Sequence, residues 1–371
     1  MKRGALTWCI TLSAILCIIL TGGWASAQNA QGLSAVGALH PANGFPRWYM
    51  DRTGLQLGQC LDTTNPADPC ALAGTFPNPN QPISFPNNFP DEFFYWRAVA
   101  DIDNIGGVGG RALLVLSTQA VFVGATGTAA DGNGAQGVFA RYRVRVRPNG
   151  LVPGATYTVT SPFGVRSFVA EATGTINFTD DQGCLAAPCD FTSVLPTTNA
   201  GPFLTWDPAS APLPPAGFIG DANIPHTLIG SPFNTNIFRI QGPNVGGPGV
   251  NSVQTNVFSI VLGKIYVRPA TTTALNSTPN PSVFGQAVTL TATVAPAVTD
   301  PLRPTGTVTF KDGATTLGTV TLVNGTASLV TAALTGGAHS LTASYSGDLE
   351  FSASTSAVRI QTVNPDRPAR R

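Results

Sequence analysis

In the stretch RYRVRVR, residues 141–147, arginine alternates with Tyr142, Val144 and Val146. A period of two belongs to an extended strand, whose successive side chains point to opposite faces. One face is therefore dry and the other wet, as in an antiparallel sheet packed on one side. Arg141, Arg143, Arg145 and Arg147 are expected to stand about 6.6 Å apart in a row about 20 Å long. The row has two readings. Its pitch suits an anionic polymer, which makes these four residues candidates for ligand binding. The plainer reading is a solvated face, with arginine stems covering apolar surface, Glu171 or Asp180 as ion-pair partners, and like charges guarding against sheet-to-sheet association.

The same period runs through most of the chain. Short β-branched and aromatic runs are separated by clusters of Gly, Pro, Asn and Asp, and the chain holds 40 glycines and 31 prolines. This is the pattern of an all-β protein, a sandwich or barrel of many strands. Strands are predicted over 111–123, 138–147, 156–160, 167–172, 173–179, 237–241 and 256–267. LVPGATYTV, residues 151–159, has the spacing of a tyrosine corner, in which the Tyr157 hydroxyl satisfies a backbone group between two sheets. Residues 28–266 are therefore read as an N-terminal β-sandwich domain with long irregular loops. It loosely resembles uncharacterised secreted β-rich bacterial domains through HPANGFPRWYMDRTGL and YTVTSPFG, and that resemblance carries no known activity.

The first 27 residues look like a secretory signal. Lys2 and Arg3 precede an apolar run to about Leu20, and Ala25-Ser26-Ala27 supplies a cleavage site. The apolar run is short for a span of roughly 20 residues, so no transmembrane segment is expected after cleavage. Without Lys2 and Arg3 the 20 basic side chains fall to 18 against 19 acidic ones, a formal charge of −1. A nucleic-acid partner is therefore not expected. Charged residues are only 11% of the chain, against roughly 25% in ordinary domains.

Four cysteines follow the signal. Cys60 and Cys70 close CLDTTNPADPC, and Cys184 and Cys189 close CLAAPC. In an exported chain this even count implies disulfides, and proximity favours the two local pairs. The three histidines lie away from both pairs, so a metal site is not indicated.

Past a Thr, Pro, Asn and Ser-rich stretch at 267–282, taken as a linker overlapping a first strand, further strands are predicted at 271–276, 287–294, 305–311, 315–322, 326–331, 338–345 and 356–363. About seven strands in under a hundred residues is the size of an immunoglobulin-like sandwich. The motifs G-T-V-T-F at 306–310, Asp312-Gly313, Leu317-Gly318, L-T-A-x-Y at 341–345 and S-G-D-x-x-F at 346–351 closely resemble the bacterial immunoglobulin-like repeat of secreted and surface proteins. The resemblance covers residues 271–364 and implies a β-sandwich serving as a spacer or presentation module. Residues 365–371 read as a frayed tail.

Candidates for chemistry are few. Asp207, Asp221 and His226 are the best prospect for an acid–base centre, but the chain contains no G-x-S-x-G, H-E-x-x-H or G-x-x-x-x-G-K-[ST] string. No catalytic residue is assigned. Asp101 and Asp103, and separately Asp62 and Asp68, are weak calcium candidates that turn chemistry explains equally well. No other cofactor is expected. Trp48, Tyr49 and Trp206 are candidates for stacking on sugar rings if exposed; the Phe93–Trp96 cluster reads as core.

The expected role is that of a non-catalytic secreted or cell-surface binding or structural protein. Its partner would be an extracellular protein or glycan, with the immunoglobulin-like module as spacer or docking unit. The alternatives are a carbohydrate-binding accessory protein and a secreted hydrolase of unfamiliar type.

Overall fold

A computed structural model describes residues 31–61, 69, 70, 78 and 81–365. The expected signal peptide, Asp62, Asp68 and the last six residues lie outside them. The chain divides into two compact units at Tyr266/Val267, and both are built of strands. Among the described residues no helix is long and apolar enough to cross a membrane.

In chain order the first unit runs β1 (Leu33–Val36), β2 (Trp48–Asp51), β3 (Gln56–Gly58), β4 (Glu92–Ile105), β5 (Gly110–Phe122), β6 (Gln136–Arg147), β7 (Thr156–Ser161) and β8 (Gly164–Val169). It continues with β9 (Ile176–Cys184), β10 (Thr205–Trp206), β11 (His226–Ile229), β12 (Phe238–Gln241), β13 (Ser252–Thr255), β14 (Val257–Phe258), β15 (Ile260–Leu262) and β16 (Lys264–Ile265). Two sheets form the sandwich, one in the order β15-β4-β5-β6-β9 and one in the order β13-β12-β7-β8. Tyr142, Val144 and Val146 of β6 join Leu114 and Leu116 of β5, Tyr157 and Val159 of β7, and Phe238 and Ile240 of β12 in one buried cluster. Alternation in β6 thus places its apolar residues between the sheets and its arginines outside.

Two devices close the sandwich. At the corner the Tyr157 hydroxyl accepts from the Val152 N–H at 2.8 Å and donates to the Pro243 carbonyl at 2.7 Å, so the phenol joins two chain segments. At the open side, Arg166 of β8 lies 4.0 Å from the centre of the Tyr142 ring, pairs with Asp180 of β9 at 3.0 Å and donates to Asn199 at 2.8 Å. Phe168 meets Phe178 beside it with ring centres 4.9 Å apart. A smaller sheet, β1-β2-β3-β16, extends the core by edge-to-face packing of Tyr49 on Tyr95.

The longest strand, β4, was not among the predicted ones. Its sequence EFFYWRAVADIDNI is almost wholly buried through Ala100, so it lacks the alternation that marks a half-exposed strand. The register also slips between Phe94 and Trp96, a bulge that leaves Tyr95 as the extra residue. Strands expected at 167–172 and 173–179 lie at Gly164–Val169 and Ile176–Cys184 instead. Gly174 forms the turn between them with φ +69°. The expected strand 256–267 is broken into β14, β15 and β16, which join three different sheets.

The second unit contains β17 (Thr271–Thr278), β18 (Ser282–Val283), β19 (Val288–Pro296), β20 (Thr307–Asp312), β21 (Thr315–Thr321), β22 (Thr326–Thr331), β23 (Gly337–Tyr345), β24 (Ser354–Thr355) and β25 (Arg359–Asn364). Much of the stretch read as a linker is therefore strand. The sheet β17-β19-β22 faces a six-stranded sheet across a core that includes Leu290, Val308, Phe310, Leu341 and Tyr345. The S-G-D-x-x-F motif has a local cause. Asp348 accepts the backbone N–H groups of Thr305, Glu350 and Phe351 at 2.7 to 2.8 Å, and the turn it fixes delivers Phe351 into the core. Gly347 takes φ +74°, which suits glycine at that turn.

Candidate functional site

The outer face of the five-stranded sheet carries the arginine row. The pairings of β6 set Arg141 between Ser117 and Asp181, Arg143 between Val115 and Thr179, and Arg145 between Leu113 and Asn177. Arg147 faces Arg111. Ser117, Val115 and Leu113 on β5 thus separate the β6 row from Arg97, Val99 and Asp101 on β4.

The four arginines are not equivalent. Arg141 is held by Asp181 through Nε and Nη2, each bond 2.8 Å, and its guanidinium also lies 5.1 Å from the Phe139 ring centre. At the other end, Arg111 is paired with Asp101. Between these neutralised ends, Arg143 donates to the Thr179 hydroxyl at 3.1 Å and Arg147 to the Asn177 side-chain oxygen at 3.1 Å. Arg145 has a buried Nε with no hydrogen-bond partner. Among the described residues no carboxylate lies within ion-pair distance of Arg143, Arg145 or Arg147. The partner anticipated for the row, Asp180, belongs to Arg166, and its neighbour Asp181 serves Arg141. Glu171 instead accepts from Thr175 within its own turn.

The electrostatics of the face agree with this division. Burial holds the Arg143 guanidinium below its ordinary value, and the positive charges of Arg141 and Arg145 push in the same direction against Asp181 and Glu92. Arginine remains charged under such a shift. The shift therefore records burial first, with crowding by Arg141 and Arg145 as a smaller contribution. Arg97, which sequence patterning missed, shares the face. It lies 4.7 Å from the Phe94 ring centre, its Nε is buried and unpartnered, and burial is the main cause lowering its guanidinium. Its place at the end of an aromatic run, just past the Tyr95 bulge, hides it from any period-two scan. Beneath the face Ser117 donates to Gln119 at 2.8 Å, and Gln119 donates to Glu92.

The aromatic candidates do not form a platform. Trp48, Tyr49 and Trp206 are 1%, 0% and 2% exposed, so none offers a ring face to a sugar. The Tyr49 hydroxyl donates to the Phe191 carbonyl at 3.2 Å, and Trp206 stacks on His226 with ring centres 4.4 Å apart. The carbohydrate reading built on these three rings is corrected accordingly: they are core. Phe93 to Trp96 are also buried.

Asp207, Asp221 and His226 do not assemble as an acid–base centre. Asp207 accepts the Ala209 N–H and Asp221 the Asn223 N–H, each capping its own turn. His226 is 4% exposed, with Nδ1 2.8 Å from the Thr227 carbonyl. Asp101 is occupied by Arg111 and by the Ser259 hydroxyl, while Asp103 is largely exposed and 4.0 Å from Arg111. Among the described residues no group of three acidic, histidine or cysteine side chains is placed to hold a metal ion. The disulfides are Cys60–Cys70 and Cys184–Cys189, with Cα atoms 5.3 and 5.6 Å apart. Cys60 and Cys70 pack with Leu262 and with Phe94, whose ring also lies under Arg97.

Residues 275–364 match a family model described as bacterial Ig-like domain, group 3. No curated protein matches the chain. Among solved structures the chain is similar to Clostridium thermocellum CbhA fibronectin(III)-like modules, with 10% identity over 62% of this chain and 89% of that one, at TM-score 0.22. A 1.5-MDa bacterial ice-binding adhesin is similar at 13% identity over 74% of this chain and 90% of that one, TM-score 0.24. A Ca2+-stabilized adhesin of an Antarctic bacterium is similar at 12% identity over 75% and 69%, TM-score 0.23. Scores this low carry no argument about fold or role. For the C-terminal module the sequence match and the two-sheet sandwich agree: residues 275–364 form a bacterial immunoglobulin-like domain.

Proposed function

We propose that the chain is a non-catalytic exported binding or structural protein of a bacterium. Its N-terminal unit contacts a partner through the arginine face, and its immunoglobulin-like module spaces or docks it. The observation that carries this reading is the run of Arg143, Arg145 and Arg147 without a carboxylate partner, between two arginines that have one. A purely structural row would be expected to neutralise its middle first, since like charges at adjacent alternate positions repel. The bacterial immunoglobulin-like domain and the two disulfides support a location outside the cytoplasm. The turn-bound aspartates and the buried His226 favour no hydrolytic reading.

The test is retention of isolated bacterial envelope fractions by the immobilised full chain. Retention that falls with Arg143→Gln and Arg145→Gln together supports the reading. A chain that retains nothing from any fraction, while folded, refutes it.

A further inference from the structure

We infer that Arg143, Arg145 and Arg147 form a binding window for a linear acidic polysaccharide whose sugars carry carboxylates, laid along β6. The inference rests on the binding role proposed above and supplies its ligand class.

Charge complementarity defines the extent of the window. Asp181 closes it at Arg141 and Asp101 closes it at Arg111. Three guanidinium groups remain at a pitch of about 6.6 Å, a run of about 13 Å. Each guanidinium presents a planar fork that matches a carboxylate.

The neutral neighbours select among polyanions. Thr179 and Asn177 on β9 are exposed and stand directly across from Arg143 and Arg145. Their hydroxyl and amide groups sit beside the cations where a bare run of phosphates would need more charge. They suit a polymer that alternates carboxylates with hydroxyls. Half-buried Leu113, paired with Arg145 across β5 and β6, adds an apolar spot for the C–H face of a sugar ring. A bound anion would also relieve the repulsion on Arg143 from Arg141 and Arg145.

The probe is polygalacturonate, titrated into the full chain by calorimetry, with its methyl-esterified form and inorganic polyphosphate as comparison polymers. Binding of polygalacturonate that weakens with added salt is expected, with no binding of the esterified polymer. A charge-assisted hydrogen bond lost at Arg145→Gln corresponds to a loss of about tenfold or more, and the Arg143→Gln, Arg145→Gln pair is expected to lose more. Arg52→Gln, an exposed arginine on another strand connection, is expected to change nothing.

If the glutamine pair unfolds, Arg143→Lys with Arg145→Lys keeps charge and stem while removing the forks. Severalfold weaker binding is expected there, and parental affinity overturns the proposal. Parental affinity in the folded glutamine pair, or equal binding of the esterified polymer, also overturns it. Arginine-dependent binding of polyphosphate that exceeds that of polygalacturonate overturns the ligand class and leaves the binding role standing. Failure of every polymer and every envelope fraction removes both.

Discussion

Arg141 grips Asp181 across the β6–β9 pair with two parallel N–H···O bonds of 2.8 Å. This one pairing divides a sequence row of four like residues into one structural arginine and three available ones. Its side chains are only 17% and 20% exposed, so the pair is better shielded than a typical surface ion pair.

Asp181→Asn is expected to cost about 1 to 3 kcal/mol of stability, because it leaves a partly buried guanidinium without its anion. The same change extends the open window by one arginine, so polygalacturonate binding should tighten. Denaturant unfolding and calorimetric titration of the variant check both directions.

Arg166 is predicted to matter more for folding than any arginine of the window. It joins the Tyr142 ring, Asp180 and Asn199 at the open side of the sandwich. Arg166→Ala should lower stability by about 2 to 3 kcal/mol, from a lost charged hydrogen-bond pair and a lost cation–ring contact. Chemical denaturation should show this loss with little change in polymer binding.

Tyr157→Phe removes a hydroxyl that accepts from Val152 and donates to Pro243. The two freed backbone groups should make this change cost about 1 to 3 kcal/mol. A fully neutral substitution by urea unfolding would mean that water replaces the phenol at the corner.

His339 gives the immunoglobulin-like domain a pH dependence. Its Nε2 lies 2.7 Å from the Thr335 carbonyl and its Nδ1 2.5 Å from an Asp312 carboxylate oxygen, so both ring nitrogens face acceptors. The Thr335 carbonyl is the largest influence raising the imidazole above its ordinary value. Burial opposes it and Asp312 adds to it. Because the folded value is raised, this contribution is fully present below the unfolded value of about 6.5 and is lost as pH rises through the folded value. NMR titration should place His339 above 6.5 in the parent, with a fall toward the ordinary value in Asp312→Asn.

Legibility from sequence followed exposure. Where one face of a strand is wet, as in β6, β7 and most of the second unit, period and turn residues located the strands to within a few residues. The tyrosine corner was readable for the same reason, since its spacing is local. β4 was not, because burial on both faces erases the alternation and the bulge at Tyr95 shifts its phase. The site divides in the same way. The β6 row was visible as a period, whereas Arg97 and the choice of Asp181 over Asp180 depend on register between strands far apart in sequence. Trp48, Tyr49 and Trp206 misled because a large ring looks alike in sequence whether it caps a surface or fills a core.

The most direct measurement is NMR of the arginine Nε–H groups in the full chain during addition of polygalacturonate. Signals of Arg143, Arg145 and Arg147 are predicted to shift together at saturable polymer concentration, while those of Arg141 and Arg166, already held by Asp181 and Asp180, stay near their starting positions. Unmoved signals from all three window arginines, or equal shifts in Arg141 and Arg166, would contradict the account.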